Sequence, residues 1–134
     1  MDQKIINTLL KESKKAYKLG EIPVGAVIVK ENKIIASAHN VRQKKYDVTG
    51  HAEIKVILKV AKKIKDWRLD GYELYVTLEP CDMCRKIIEE SRITNVYFFK
   101  SADKNSKNKM VNYKLTQENE EYNKMFKKFF KKLR

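Results

Sequence analysis

The sequence predicts an α/β fold in which helical layers cover a mixed, five-stranded sheet. Short runs rich in β-branched residues alternate with longer stretches whose apolar residues recur at helical spacing. The order helix, strand, strand, helix, strand, helix, strand, helix is typical of a sheet between helices. The 134 residues are expected to form one domain, 1–134, that buries roughly two-thirds of the surface of the unfolded chain.

The first predicted elements are a helix and a strand. Residues 2–19 place most of their apolar side chains on one helical face, and Gly20 stands where a C-terminal cap is expected. Pro23 prevents the helix from continuing. Residues 24–29 are apolar, mostly β-branched and too few for a helix, which predicts a buried strand.

A hairpin and a second helix follow. A turn at Glu31 and Asn32 joins the first strand to residues 33–38, the predicted antiparallel partner. The next dozen residues lack periodicity and predict a loop. From His51 to Ile64 the apolar residues again have helical spacing, with Thr49 as the candidate N-cap.

The second half of the chain repeats this alternation. Residues 73–78 predict a strand that ends before Pro80, and a short helix follows it. Residues 94–99 predict another strand. Residues 100–117 are polar and harder to assign, with a short strand or turn indicated over 110–115. A terminal helix begins near Glu118, and its lysines form a solvated face. By default Trp67 and the aromatic stripe of this last helix are core residues, and stacking on nucleic-acid bases is the alternative.

The composition favours a polyanionic partner. The net charge is +13, and lysine and arginine bind phosphates with the release of counterions. The lysines are spread almost evenly, however, so part of this charge reflects composition bias. Two cysteines in a Cys-x-x-Cys spacing favour a metal or redox pair in a reducing compartment over a structural disulfide. With no apolar run long enough to cross a bilayer, we expect a cytoplasmic protein that does not bind membranes.

Two short motifs carry the predicted chemistry. His51 and Glu53 open the second helix, and Cys81 and Cys84 open the third, about thirty residues later. A catalytic zinc ion takes three protein ligands and leaves one position for water, whereas a structural zinc ion takes four. His51, Cys81 and Cys84 supply three, so a closed site would need His39 or a carboxylate. Two helix N-termini also favour thiolates.

Each motif alone is weak, but their combination is specific. Cys-x-x-Cys by itself also fits a redox pair or half of a zinc ribbon, although a redox mechanism would not use His51 or Glu53. The pattern His-x-Glu, then Pro-Cys-x-x-Cys, is the signature of zinc nucleobase deaminases, in which the glutamate moves protons and does not bind the metal. Asn40 by itself indicates only turn chemistry. His39 is more simply a loop-packing residue than a ligand.

The chain resembles bacterial tRNA-specific adenosine deaminases, in the cytidine deaminase-like superfamily, over about residues 3 to 99. The resemblance rests on six stretches: Gly20 to Val29, His39-Asn40, His51 to Ile54, Trp67 to Leu69, Leu74 to Cys84 and Ser91 to Ile93. It implies a three-layer α/β/α cytidine deaminase-like fold, a homodimer, and hydrolysis of adenosine to inosine at the wobble position of a tRNA anticodon stem-loop.

The resemblance also implies the roles of single residues. One Zn²⁺ per subunit would be bound by three ligands, a glutamate would shuttle protons, and two residues would contact the substrate. In this chain the zinc ligands would be His51, Cys81 and Cys84, and the proton shuttle would be Glu53. The residues in contact with the substrate would be Asn40 and Ala52.

This chain departs from the family pattern beside the site. The family usually has Asp-Pro-Thr-Ala before its histidine, where this chain has 47–50, Asp-Val-Thr-Gly. After the second cysteine the family has small residues, whereas Arg85 and Lys86 stand here and would fill that space or bind phosphates. The Gly- and Ser-rich family segment is replaced by residues 101–110. Two alternatives therefore stay open: a deaminase of a free base, nucleoside or nucleotide, and a basic RNA-binding protein with structural zinc only.

Overall fold

The computed structural model describes residues 2–43, 45–102 and 111–132. Within these residues the chain forms four helices and five strands. They are α1 (Gln3–Lys18), β1 (Gly25–Lys30), β2 (Lys33–His39), α2 (Ala52–Ile64), β3 (Glu73–Leu78), α3 (Asp82–Glu90), β4 (Asn95–Lys100), β5 (Asn112–Leu115) and α4 (Glu120–Lys132). The predicted elements are present, and most of them begin and end within one residue of the predicted bounds.

The strands form one mixed sheet in the order β2-β1-β3-β4-β5. β1 is antiparallel to β2 and β3, and β4 is parallel to β3 and β5. The hairpin between β1 and β2 turns at Glu31 and Asn32, which have φ values of 50° and 65°. Two successive left-handed residues are typical of the tight turn that suits the twist of paired strands. The predicted five-stranded mixed sheet is therefore confirmed.

Helices cover both faces of this sheet. α1 and α4 contact each other on one face, where a core cluster includes Leu9, Val27, Phe99 and Tyr122. α2 and α3 cover the other face over a larger apolar cluster from all five strands or their flanks. Alternate residues of β1 point to opposite clusters, as the pleat of a strand requires. The result is the three-layer α/β/α arrangement.

Gly25 allows α1 to lie close against the sheet. A Cβ atom at this position would stand 2.6 Å from the carbonyl oxygen of Leu9 and 3.0 Å from Ser13 Oγ. The backbone N–H of Gly25 donates to Thr77 Oγ1 at 3.1 Å, which links β1 to the buried end of β3. The beginning of β1 is thus fixed both to the helix above it and to the neighbouring strand.

Two local predictions were wrong, and one segment is outside the described residues. Thr49 does not cap α2; His51 occupies the N-cap position, and the Thr49 side chain donates to Asp47 instead. Trp67 is not a core residue: it is 58% exposed, with Arg68 and Arg92 against its ring. Residues 103–110 cannot be compared with the prediction. Within the described ranges, no helix combines the length and hydrophobicity that a membrane span needs.

Candidate metal and catalytic site

The three predicted ligands converge at the N-termini of α2 and α3. His51 and Cys81 are the N-cap residues of these helices, both with extended backbones, and Cys84 lies in the first turn of α3. Pro80 ends the extended segment after β3, so the two cysteines fall on either side of a helix start. His51 Nδ1 lies 3.8 Å from Cys81 Sγ and 3.5 Å from Cys84 Sγ.

This geometry fits a tetrahedral zinc ion. The three ligand atoms all lie within 4.8 Å of one another. Zinc–sulfur and zinc–nitrogen bonds of about 2.3 and 2.0 Å place neighbouring tetrahedral ligands roughly 3.5 Å apart. The observed nitrogen–sulfur distances are 3.5 and 3.8 Å, so the three side chains could bind one ion with little movement.

The pKa values of the two cysteine thiols also indicate that the site would bind a cation. Hydrogen bonds from Cys84 and His51 lower the pKa of Cys81 to about 3. The same interaction with Cys81, together with burial, raises the pKa of Cys84. The hydrogen bond with Cys81 raises the pKa of His51. Two thiolates this close repel each other, and a divalent cation between them removes that repulsion.

Glu53 is buried beside these ligands. It lies in the first turn of α2, is 4% exposed, and its carboxyl group contacts the Cys84 thiol. Burial raises the pKa of Glu53 to about 7, although His51 nearby favours the charged form. A carboxyl group with such a pKa can both accept and donate a proton at neutral pH. The arrangement suits a proton shuttle more than a fourth ligand.

Asn40 supplies the cap that α2 lacks. His51 makes no side-chain cap hydrogen bond, but Asn40 Oδ1 accepts from the backbone N–H of Ala52 at 2.8 Å. Asn40 Nδ2 donates to the carbonyl of Ile22 at 3.1 Å. The carboxamide therefore ties the end of β2 to the residue that follows the histidine. Ala52 itself is fully buried, and substrate contacts of both residues stay predictions.

Arg85 fills the space beside the second cysteine, which is the first of the two outcomes predicted for this residue. Its side chain is 7% exposed and pairs with Glu79. Arg85 Nε donates to the carbonyl of Pro80 at 3.2 Å, and the guanidinium lies 3.9 Å from the centre of the Tyr113 ring. The alternative, a phosphate contact by Arg85, was wrong because the guanidinium is turned inward. Lys86 is exposed.

Sequence reasoning missed the partner of Arg85. Glu79 Oε1 accepts from Ala102 N and Ser101 Oγ, both at 3.0 Å, so this carboxylate joins the end of β3 to the end of β4. The sequence did contain an indication that Arg85 is buried, because Arg85 is three residues before Ile88 and so lies on the same apolar face of α3. A charge at such a position needs a buried partner.

His39 lies outside the metal cluster. Its Nδ1 is 3.0 Å from Glu12 Oε1, and Ser37 Oγ donates to the other oxygen of that carboxylate at 2.8 Å. This pair joins the end of β2 to α1. The predicted loop position of His39 was wrong by one residue, because His39 is the last residue of β2.

Comparison with known proteins identifies relatives of this site. The cytidine and deoxycytidylate deaminase zinc-binding region matches residues 1–100. A tRNA-specific adenosine deaminase of Bacillus subtilis is 45% identical over 97 residues, 72% of this chain and 60% of its own length. The chain likewise spans less than two thirds of other curated relatives with that name. The predicted resemblance to these deaminases is confirmed.

Two solved structures are similar over nearly the whole chain. One comes from a study of A-to-I editing by tRNA:A34 deaminases at the wobble position of transfer RNA. It has a TM-score of 0.82 and 29% identity, covering 92% of this chain and 99% of its own. The other is guanine deaminase from Bacillus subtilis, with a TM-score of 0.69 and 26% identity, covering 98% and 95%.

Proposed function

The chain belongs to the family defined by the cytidine and deoxycytidylate deaminase zinc-binding region, and we propose that it hydrolyses adenosine to inosine at the wobble position of a tRNA. One observation carries the reaction type: a buried carboxyl group stands beside three converging metal ligands. The substrate class rests on the 45% identity with the tRNA-specific adenosine deaminase of Bacillus subtilis.

His51, Cys81 and Cys84 would hold one Zn²⁺ through Nδ1 and two sulfur atoms. When bound, zinc would supply Lewis-acid chemistry that lowers the pKa of water towards neutrality. Glu53 would take one proton from water and pass it to N1 of adenine as the oxygen bonds to C6. It would then take the remaining proton of that oxygen and pass it to the amino group, which leaves as ammonia. Adenosine and water thus become inosine and ammonia. The burial of Glu53 keeps bulk water from competing for these protons.

Asn40 and Ala52 would contact the nucleoside that enters the site. Among the described residues, the Asn40 carboxamide has two hydrogen-bond partners, which leaves one N–H and one lone pair for a substrate. An adenosine must leave its stack to reach the ligands, and an anticodon loop permits this at low cost. The carboxamide would therefore bind substrate while it holds the start of α2.

A second candidate function is the deamination of a free purine. The likeness to guanine deaminase from Bacillus subtilis favours it, and the buried Arg85 leaves less space beside Cys84 than a small residue would. A third possibility is an RNA-binding protein that uses zinc for structure only. The three candidate functions differ in the substrate that is deaminated: RNA in the first, a small molecule in the second and none in the third.

Homodimer formation in the cytoplasm is part of the same proposal. α2 and α3 carry the exposed apolar side chains of Leu58 and Met83, on the helical layer that contains the site. A second copy could cover them, in keeping with the family resemblance. Light scattering on the purified protein tests the stoichiometry.

The direct test compares RNA with small molecules. Zinc-loaded protein is incubated with an anticodon stem-loop that has adenosine at the wobble position, and separately with free adenosine, adenine, guanine and cytidine. Inosine in the RNA, measured by mass spectrometry, is the expected result. Turnover of a small molecule without the RNA would support the second candidate. Zinc and RNA binding without any turnover would support the third.

Glu53→Gln tests the proton shuttle. This variant should keep one zinc ion per chain, because Glu53 is not a ligand, but lose activity by at least about a hundredfold. Glu90→Gln, an exposed carboxylate on α3, is the matched control and should keep activity. An active Glu53→Gln enzyme would contradict the role given to this residue.

A further inference from the structure

The loop between β2 and α2 is closed at its base. Val41 N donates to the carbonyl of Gly50, and Asp47 N to the carbonyl of Arg42, both at 2.9 Å. A Cβ atom on Gly50 would stand 2.8 Å from the backbone of Arg42, so only glycine allows this approach. Gln43 N also donates to Glu21 Oε1 at 3.0 Å. The base of the loop is therefore held in place.

The tip of this loop carries apolar side chains into solvent. Tyr46 is 97% exposed and Val48 is 65% exposed. Tyr46 also has a φ of 51°, in the left-handed region that a large side chain seldom adopts. Tyr46, Val48, Arg42, Gln43 and Asp47 line a surface groove of about 200 Å³. The left-handed backbone closes the turn, because Tyr46 N donates to the carbonyl of Gln43 at 3.4 Å and Asp47 N donates to that of Arg42. The turn does not require a large aromatic side chain at this position, and the ring packs against little of the protein.

The groove lies next to the candidate site. The loop begins directly after Asn40 and ends at His51, and the hydrogen bond from Val41 N to the carbonyl of Gly50 brings its two ends together beside these residues. A nucleoside that enters the site brings its neighbours in the strand to the rim. Unstacked bases of single-stranded RNA stack on exposed aromatic rings, and arginine binds their phosphates. The net charge of +13 favours such a strand over a neutral partner.

We propose that Tyr46 is a stacking platform for a nucleobase adjacent to the deaminated nucleoside, with Arg42 at the phosphate of the same strand. This inference rests on the proposed function, because it takes a single-stranded RNA loop as the substrate. Tyr46 acts on binding and positioning, whereas Glu53 acts on chemistry. Changes at Tyr46 therefore affect KM and Kd for RNA more than kcat.

The experiment measures the affinity of zinc-loaded protein for a fluorescent anticodon stem-loop, in the Glu53→Gln background to prevent turnover. Tyr46→Ala should weaken binding by about tenfold or more, and Tyr46→Phe by less than about threefold. Trp67→Ala, which removes an exposed aromatic ring beyond the C-terminus of α2, is the matched control and should bind as the parent does. Thermal denaturation checks that all three variants fold.

A second arm identifies the base. Two stem-loops are used, each with a single abasic nucleotide, one immediately before and one immediately after the wobble position. The affinity of the parent and of Tyr46→Ala is measured for each RNA. One of these RNAs should bind the parent weakly and lose no further affinity with Tyr46→Ala. The proposal would be overturned if Tyr46→Ala bound the RNA as tightly as the parent does, or if this substitution weakened the binding of every RNA, abasic ones included, by the same factor. It would also be overturned if the substitution changed the oligomeric state without changing the affinity. Inosine formation by the protein with Glu53 intact is scored separately, so failure of the proposed function is distinguished from failure of this contact.

Discussion

Replacing Arg85 with methionine removes one half of a buried ion pair while keeping most of the side-chain volume. The side chains of Arg85 and Glu79 are 7% and 9% exposed. The substitution also removes the hydrogen bond to the Pro80 carbonyl and the contact with the Tyr113 ring. The Glu79 carboxylate would then be left buried with only Ser101 and Ala102 as donors.

The expected loss follows from the burial of that charge. Removing one partner of a buried pair costs about 3 to 5 kcal/mol, because the other charge stays desolvated. For a chain of this size such a loss lowers Tm by roughly 10 to 20 °C. Glu79→Gln combined with Arg85→Met removes the charge but keeps an oxygen for Ser101 and Ala102. The double variant should therefore recover most of the loss.

Calorimetry of the single and double variants measures this effect, with Lys86→Met as the control for an exposed neighbour. That control should change stability by no more than about 0.5 kcal/mol. The reasoning would be refuted if Arg85→Met denatured at nearly the temperature of the unmodified protein. It would also be refuted if the double variant were as unstable as Arg85→Met, because the penalty would then not come from an unpaired charge.

Three further outcomes are expected. Burial raises the pKa of Glu12, but hydrogen bonds from His39 and Ser37 outweigh it, so the net pKa lies below 4.5. The ionised carboxylate therefore stabilises the fold above that pH, and the Tm deficit of Glu12→Gln at neutral pH should shrink as the pH falls below about 4.5. Gly25→Ala should lower the free energy of unfolding by about 1 to 3 kcal/mol, measured in urea, because α1 must move away from β1. Cys84→Ser should reduce the zinc content measured by atomic spectroscopy, whereas Met83→Ala should not.

The helices and strands could be predicted because their signals are local. Helical spacing of apolar residues located α1 and α2, and a β-branched run ending before Pro80 located β3. The metal cluster could be predicted for a similar reason, since two short motifs each open a helix. Sequence reasoning could infer convergence of the ligands without knowing any distance.

The errors concern contacts between distant residues. The cap of α2 comes from Asn40, which is twelve residues before Ala52, the donor of the N–H. The residues next to the helix start, such as Thr49, therefore did not indicate it. Arg85 is neutralised by Glu79 across a proline and a helix start, where no periodic pairing rule applies. Trp67 is exposed although tryptophan is usually buried, because it follows the end of α2 and lies against two arginines.

The spacing of the ligands along the chain also gives a bound ion the effect of a cross-link. His51 and Cys81 are about thirty residues apart, and they meet only when α2, β3 and α3 are assembled. An ion that joins them binds the assembled state more tightly than the unfolded chain, and this difference in affinity raises the free energy of unfolding. The unfolded chain keeps only the Cys81–Cys84 pair as a local chelate. Zinc would therefore stabilise the assembled unit of α2, β3 and α3 over its unfolded state, and removal of zinc by a chelator would lower the free energy of unfolding.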